Sequence, residues 1–286
     1  MEETKQTENI NIPPEETNDS SPEISEIKPK KSQGLLTESM AFRFMLVFGV
    51  VFMSFVFVFQ VWLTPIKVIG SSMQPTINTS IKYEEDEKYC DIVYYDDKKA
   101  YANDAIVIVK NNNYKYIPYK EIKNYEDKVV GVQDVNFFIK RVIACPGQTI
   151  TFYLKDAQTA LLQRKYYYDI IVKDSTGNIV NLDESYLKEE MMFTFSDLAE
   201  LSEEFDDFQK LFENILDESL TPENRKCTLV IPKNAYFVMG DNRNNSEDSR
   251  YFGFVYHEDI AGNVRLQIPY GSNLIKAIWL KLKSII

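Results

Sequence analysis

Phe137-Phe138-Ile139-Lys140-Arg141-Val142-Ile143 is an apolar run interrupted by two charges. Its length and its aromatic and β-branched content predict a buried strand. A lysine among such neighbours is costly to keep charged, and burial drives its pKa toward neutrality, where the amine can act as a general base. Moving a lysine from about 10.4 to about 7 takes roughly 4–5 kcal/mol of differential destabilisation of the charged form. Upstream, Gly70-Ser71-Ser72-Met73-Gln74-Pro75-Thr76 sets a serine on a turn bounded by Gly and Pro.

Outward from this run the chain stays strand-like. Asp91–Tyr95, Ala105–Val109, Thr149–Leu154, Asp169–Val172, Thr228–Ile231 and Tyr236–Met239 are further expected strands, separated by Asn, Gly, Pro and Asp clusters. They predict a mostly β body. Leu198, Leu201, Phe205, Phe208, Phe212 and Ile215 follow Ser196 at helical spacing, with an acidic opposite face, and predict one helix packed on its own domain.

Residues 1–39 are polar and proline-broken, which predicts a disordered tail. From Phe44 to Ile66 no residue is charged, a length that suits a bilayer span, so residues 40–66 are expected to form an uncleaved anchor. Lys28, Lys30, Lys31 and Arg43 precede it and Glu84-Glu85-Asp86-Glu87 follows. The positive-inside rule then leaves the N-terminus in the cytoplasm and the body outside. Asn273–Ile286 mixes apolar residues with Lys276, Lys281 and Lys283. It fits either an interfacial helix or core packing.

A net charge of −11 argues against nucleic acid as a partner. Cys90, Cys145 and Cys227 lack CxxC spacing, and a single histidine excludes the usual zinc cluster, so no metal or cofactor is implied. Cys145 is expected as a small buried hydrophobe. A Cys90–Cys227 disulfide is compatible with the sequence but has no support in it. His257 lies in a polar, turn-like segment and is expected to be an exposed loop residue, so a serine nucleophile here would use a base other than histidine. Serine and lysine together suggest a Ser–Lys hydrolase at a membrane surface.

Two further patterns sharpen this. Alternation along Ile66-Lys67-Val68-Ile69-Gly70-Ser71-Ser72 puts Ile66, Val68, Gly70 and Ser72 on one face, an apolar edge leading to the serine. Gly240-Asp241-Asn242-Arg243-Asn244-Asn245-Ser246-Glu247-Asp248-Ser249-Arg250 follows an apolar strand and is more polar than a hairpin requires.

Ser72–Thr76, Phe138–Gly147 and Gly240–Arg250 resemble, in order, the serine, lysine and GDNRxNSxDSR motifs of type I signal peptidases, and Asn103–Val107 resembles their intervening strand more weakly. The resemblance implies a signal-peptidase/repressor-protease-like β fold and a membrane serine endopeptidase acting on signal-peptide-bearing preproteins. Membrane lipid and the export translocon would be its surroundings, and the cell membrane its location. Ser72 would be the nucleophile and, through its backbone N–H, an oxyanion donor. Lys140 would be the base and Ser246 the residue orienting it. Arg141, Asp241, Asp248 and Arg250 would be structural supports, the last two as an ion pair. Ile66, Val68 and Ile139 would line pockets for small side chains. Gly70 departs from the pattern, standing where some members carry a serine that donates to the oxyanion.

The domain order implied is catalytic residues 67–151, a smaller α+β insertion at 152–227, catalytic residues 228–272 and a C-terminal segment at 273–286. Two rivals are a Ser–Lys protease of the self-cleaving repressor type and a catalytically silent, membrane-tethered binding protein of the same fold.

Overall fold

The computed structural model describes residues 33–79, 89–98, 100–117, 120–123, 128–133, 135–160, 163–194, 217 and 219–277. The chain divides into two units, the larger comprising Phe55–Ile286. Helix α1, Gln33–Trp62, carries a window, Ser39–Phe57, of mean hydropathy 2.2 with none of it buried. Those 19 residues rise about 30 Å, the thickness of a bilayer's hydrocarbon core. Two boundaries differ from expectation. The helix starts inside the tail expected at 1–39, where the stretch between Pro29 and Pro65 holds no proline to break it. It ends at Trp62, short of residue 66, because Pro65 disfavours helical backbone at Thr64 and cannot donate to a helical ladder.

In chain order the strands are β1 (Thr64–Lys67), β2 (Ile92–Asp96), β3 (Ile106–Lys110), β4 (Lys120–Lys123), β5 (Val129–Gln133), β6 (Phe137–Ala144) and β7 (Thr149–Ala160). Then come β8 (Gln163–Lys173), β9 (Ile179–Val180), β10 (Met192–Thr194), β11 (Lys226–Val230), β12 (Ala235–Met239), β13 (Val255–Tyr256) and β14 (Ile260–Ile268). The molecule is mostly β. A seven-stranded antiparallel sheet runs β1-β2-β14-β3-β6-β12-β13, and a second runs β10-β8-β7-β11 with β9 on β8. β4 and β5 form a separate ribbon.

Lys140 lies in the interior of the larger sheet, on β6 between β3 and β12, with Val107 opposite it on β3. All of β6 after Phe137 is buried, as expected of a strand covered on both faces. Its side chains enter three apolar clusters. Ile139 meets Val68, Met73 and Ile77; Phe138 and Val142 meet Val107 and Val238; Ile143 and Ala144 meet Phe152 and Phe237.

The second sheet shares that last cluster. On its long hairpin, Ile150, Phe152 and Leu154 on β7 and Tyr168, Ile170 and Val172 on β8 are buried at the period of two. Within the smaller α+β insertion expected at 152–227, the described residues form strands, loops and a short 3-10 turn, and their apolar side chains share a cluster with the larger sheet. The helix expected between Leu198 and Ile215 lies outside the described residues.

Three smaller expectations are refined. His257 is half-buried in a short 3-10 turn, with Nδ1 3.2 Å from the Tyr236 hydroxyl and its ring against Tyr101, because the aromatic side chains beneath it offer a partner. Cys145 and Cys227 carry free thiols, so the structure holds no Cys90–Cys227 disulfide. At the C-terminus a helical turn starts after Asn273, whose Oδ1 accepts from the Lys276 N–H at 2.8 Å; residues 278–286 lie outside the described residues.

Candidate active site

The turn bearing Ser72 is held from below by two apolar anchors, Met73 and Ile77, both buried with Ile139. Its approach strand is held from the side. Asn78 sits at φ 62°, a backbone region that asparagine tolerates, and its Nδ2 donates to the carbonyls of Val68 at 2.7 Å and Gly70 at 2.9 Å. Asp91 completes the bracket, accepting from the Asn78 N–H at 2.8 Å and donating its own N–H to Asn78 Oδ1 at 2.8 Å. Both residues are almost fully buried, so the pairing satisfies polar groups that would otherwise be costly. The alternation expected before Ser72 is present: Ile66 is half-buried, Val68 and Gly70 buried, Lys67 and Ile69 exposed.

Lys140 reaches the turn from β6. Its Nζ lies 3.0 Å from Ser72 Oγ, and the side chain is buried within 5.8 Å of the Phe138 ring. Ile66, Val68 and Ile139 share one apolar cluster beside this pair.

The Gly240–Arg250 loop closes the third side. Asn242 N–H donates to the Ser72 carbonyl at 3.0 Å, and Asn242 Nδ2 to the Ser71 carbonyl at 3.2 Å. Asn245 Nδ2 reaches Ser71 Oγ at 3.0 Å, and Thr76 Oγ1 donates to Asp241 Oδ2 at 2.5 Å. Gly240 is required here, since a β-carbon would collide with Ser246 Oγ and the Ser72 carbonyl. Ser246 Oγ is buried beside Gly240 and has no hydrogen-bond partner among the described residues.

Two buried ion pairs hold this loop. Arg141 joins Asp241 through Nε at 2.7 Å and Nη2 at 2.5 Å, and Arg250 joins Asp248 through Nε and Nη2, each at 2.7 Å. Burial alone would raise the Asp248 carboxyl. The Arg250 charge and hydrogen bonds, with the Gly240 N–H, outweigh it and hold the group below the ordinary carboxylate value.

Sequence reasoning did not single out Asn78 and Asp91, nor Thr76 and Asn242 as links between the serine turn and the loop. Asp91 opens an expected strand and Asn78 precedes an acidic run, and neither position carries a local pattern that marks it as a support for the serine turn. Only the fold, which buries both, distinguishes them.

The profile of the family described as signal peptidase, peptidase S26, matches residues 41–269. The chain belongs to that family. It is 27% identical over 164 residues to signal peptidase I of Buchnera aphidicola subsp. Acyrthosiphon pisum, covering 48% of this chain and 50% of that protein. To signal peptidase I of Bacillus caldolyticus it is 28% identical over 159 residues, 56% of this chain and 66% of the relative. The Aquifex aeolicus signal peptidase I matches over 33 residues at 64% identity, 12% of this chain and 13% of that one. The chain thus spans about half the length of the first of these relatives. A solved signal peptidase I from Enterococcus faecalis aligns at TM-score 0.27 and 20% identity, covering 58% of this chain and 97% of that one.

Proposed function

We propose that the protein is a membrane-anchored serine endopeptidase that removes signal peptides from exported preproteins. The observation that carries this reading is the 3.0 Å approach of Lys140 Nζ to Ser72 Oγ, buried beside an apolar edge and within a chain of the signal peptidase family.

The extended stretch before the scissile bond lies along Ile66–Gly70, with small side chains against Ile66, Val68 and Ile139. Ser72 Oγ attacks the scissile carbonyl carbon while its proton passes to the neutral Lys140 amine. The Ser72 backbone N–H stabilises the oxyanion, since Gly70 offers no side-chain donor. Collapse breaks the C–N bond, and the lysine proton goes to the departing amine. Water then gives a proton to Lys140 and attacks the ester carbon, and Ser72 recovers its proton as the acid leaves. The Ser246 hydroxyl, without a partner in the resting site, is positioned to steady the lysine during these transfers. Helix α1 anchors the enzyme with the N-terminus in the cytoplasm and the body on the outer face.

Cleavage of a preprotein carrying an Ala-x-Ala site, in detergent or lipid, tests the reading. Wild type should release the mature protein, and Ser72→Ala and Lys140→Ala should not. Undiminished cleavage by either variant rejects the dyad, and no cleavage by wild type favours a silent binding protein. A pH–rate profile tests the neutral amine: a rise with an apparent pKa near that of a free lysine, about 10.4, speaks against it.

A further inference from the structure

The stretch between β9 and β10 belongs to the insertion whose role the sequence leaves unexplained, and it runs along the outside of the Gly240–Arg250 loop. Of the loop's buried carboxylates, Asp241 is committed to Arg141 and Asp248 to Arg250. Arg243 is just as buried, with its side chain 2% exposed, and takes its counter-charge from the insertion: Nη1 donates to Glu184 Oε1 at 2.8 Å. A buried guanidinium needs such a partner.

Tyr186 lies between the two halves of the site. Its hydroxyl accepts from Arg243 Nη2 at 2.7 Å. Its ring centroid is 4.3 Å from Arg141 Cζ and 5.7 Å from Arg243 Cζ. Two like-charged guanidinia thus meet one aromatic ring, which attracts each and separates them. Arg141 adjoins Lys140 on β6, while Arg243 adjoins Asn242, whose N–H holds the Ser72 carbonyl. One ring therefore bridges the strand of the base and the loop that fixes the nucleophile. Asn244 continues the seam, accepting from the Met192 N–H at 3.1 Å and donating to the Glu190 carbonyl at 3.0 Å.

We propose that Tyr186, backed by Glu184, is a positioning residue: a wedge supplied by the inserted segment that sets the Gly240–Arg250 loop at the distance at which Ser72 meets Lys140. The inference rests on the peptidase reading given above.

The test compares wild type with Tyr186→Leu, Tyr186→Phe and Glu184→Gln in the full chain in detergent. It measures kcat and KM on an Ala-x-Ala peptide, thermal melting, and hydrogen exchange of residues 240–248. Tyr186→Leu should lower kcat about 10- to 100-fold, with KM within about twofold and faster exchange confined to 240–248. Tyr186→Phe, which keeps the ring, should recover to within about threefold of wild type.

A Tyr186→Leu protein with wild-type kcat overturns the wedge. So does a loss accompanied by equally faster exchange across β6 and β12, which is general loosening. If Tyr186→Leu does not fold, Glu184→Gln decides: slower turnover with faster exchange in 240–248 supports the wedge, and wild-type values for both overturn it. Cleavage that survives Ser72→Ala removes the peptidase reading and the wedge with it. The wedge fails alone when turnover depends on Ser72 and Lys140 but not on Tyr186 or Glu184.

Discussion

Arg141 and Asp241 are joined by two parallel hydrogen bonds, Nε to Oδ1 at 2.7 Å and Nη2 to Oδ2 at 2.5 Å, across 100 positions of sequence. The pair locks the strand of Lys140 to the loop that holds Ser72. A lysine can make only one of the two bonds and lacks the planar fork. Arg141→Lys should therefore keep the fold but cut kcat/KM about 10- to 100-fold, measured on an Ala-x-Ala peptide. Unimpaired cleavage would show that the fork is dispensable.

Lys140→Met retains an unbranched apolar chain and removes an amine from a buried site. Cleavage should vanish while the melting temperature rises by about 2–4 °C, as about 1 kcal/mol does in a domain of this size. A fall in Tm would mean that the amine contributes to stability as well as to chemistry.

Acid should unfold the protein through Asp248. A carboxyl with a depressed folded pKa contributes stability that is complete above the unfolded value, about 3.9, and is lost as pH falls through the folded value. Melting temperatures should decline below about pH 4 for this reason. Asp248→Asn should flatten that decline and cost about 3–5 kcal/mol at pH 7, because Arg250 remains buried without its counter-charge. An unchanged acid limb in the variant would assign the loss to other groups.

Gly240→Ala places a methyl group against Ser246 Oγ and the Ser72 carbonyl. Ser246 can turn aside, but the Ser72 carbonyl cannot move without shifting the Ser72 side chain. A loss of about 100-fold in kcat is expected, with KM little changed. Wild-type kcat would mean that the turn accommodates the shift.

Burial pushes the Cys227 thiol up to about 12 and the Cys145 thiol up to about 11, with Asp104 adding at the second. Neither supplies much thiolate near pH 8. An aromatic disulfide reagent at pH 8 should leave both unlabelled in the native protein and label both in denaturant, read by intact mass.

The strands that periodicity predicts are those whose side chains alternate or stay apolar without a break, such as Ile106–Lys110 and Ala235–Met239. β14 escapes the pattern because Gly262 and the polar Asn263 interrupt its apolar run. The fold explains the glycine: a β-carbon there would collide with the Asp96 carbonyl of the neighbouring strand. Its absence of a side chain is what lets the sheet close at that point, and no local pattern reports it.

The site divides along the same line. Ser72 and Lys140 could be read because each violates its surroundings, a hydroxyl on a constrained turn and a charge in a buried strand. Asn78, Tyr186 and Glu184 violate nothing locally. Their importance arises from partners that folding brings to them, such as Arg243 opposite Glu184 across 59 positions.

Among the described residues β6 alone contributes side chains to all three apolar clusters, and Lys140 sits midway along it. A strand tied into every core cannot open while any of them stands, so its amides should exchange only through global unfolding. Heating should thus produce no intermediate in which the body persists and Lys140 has drifted from Ser72. Cleavage would fade in step with the folded population, making the catalytic centre as durable as the domain itself.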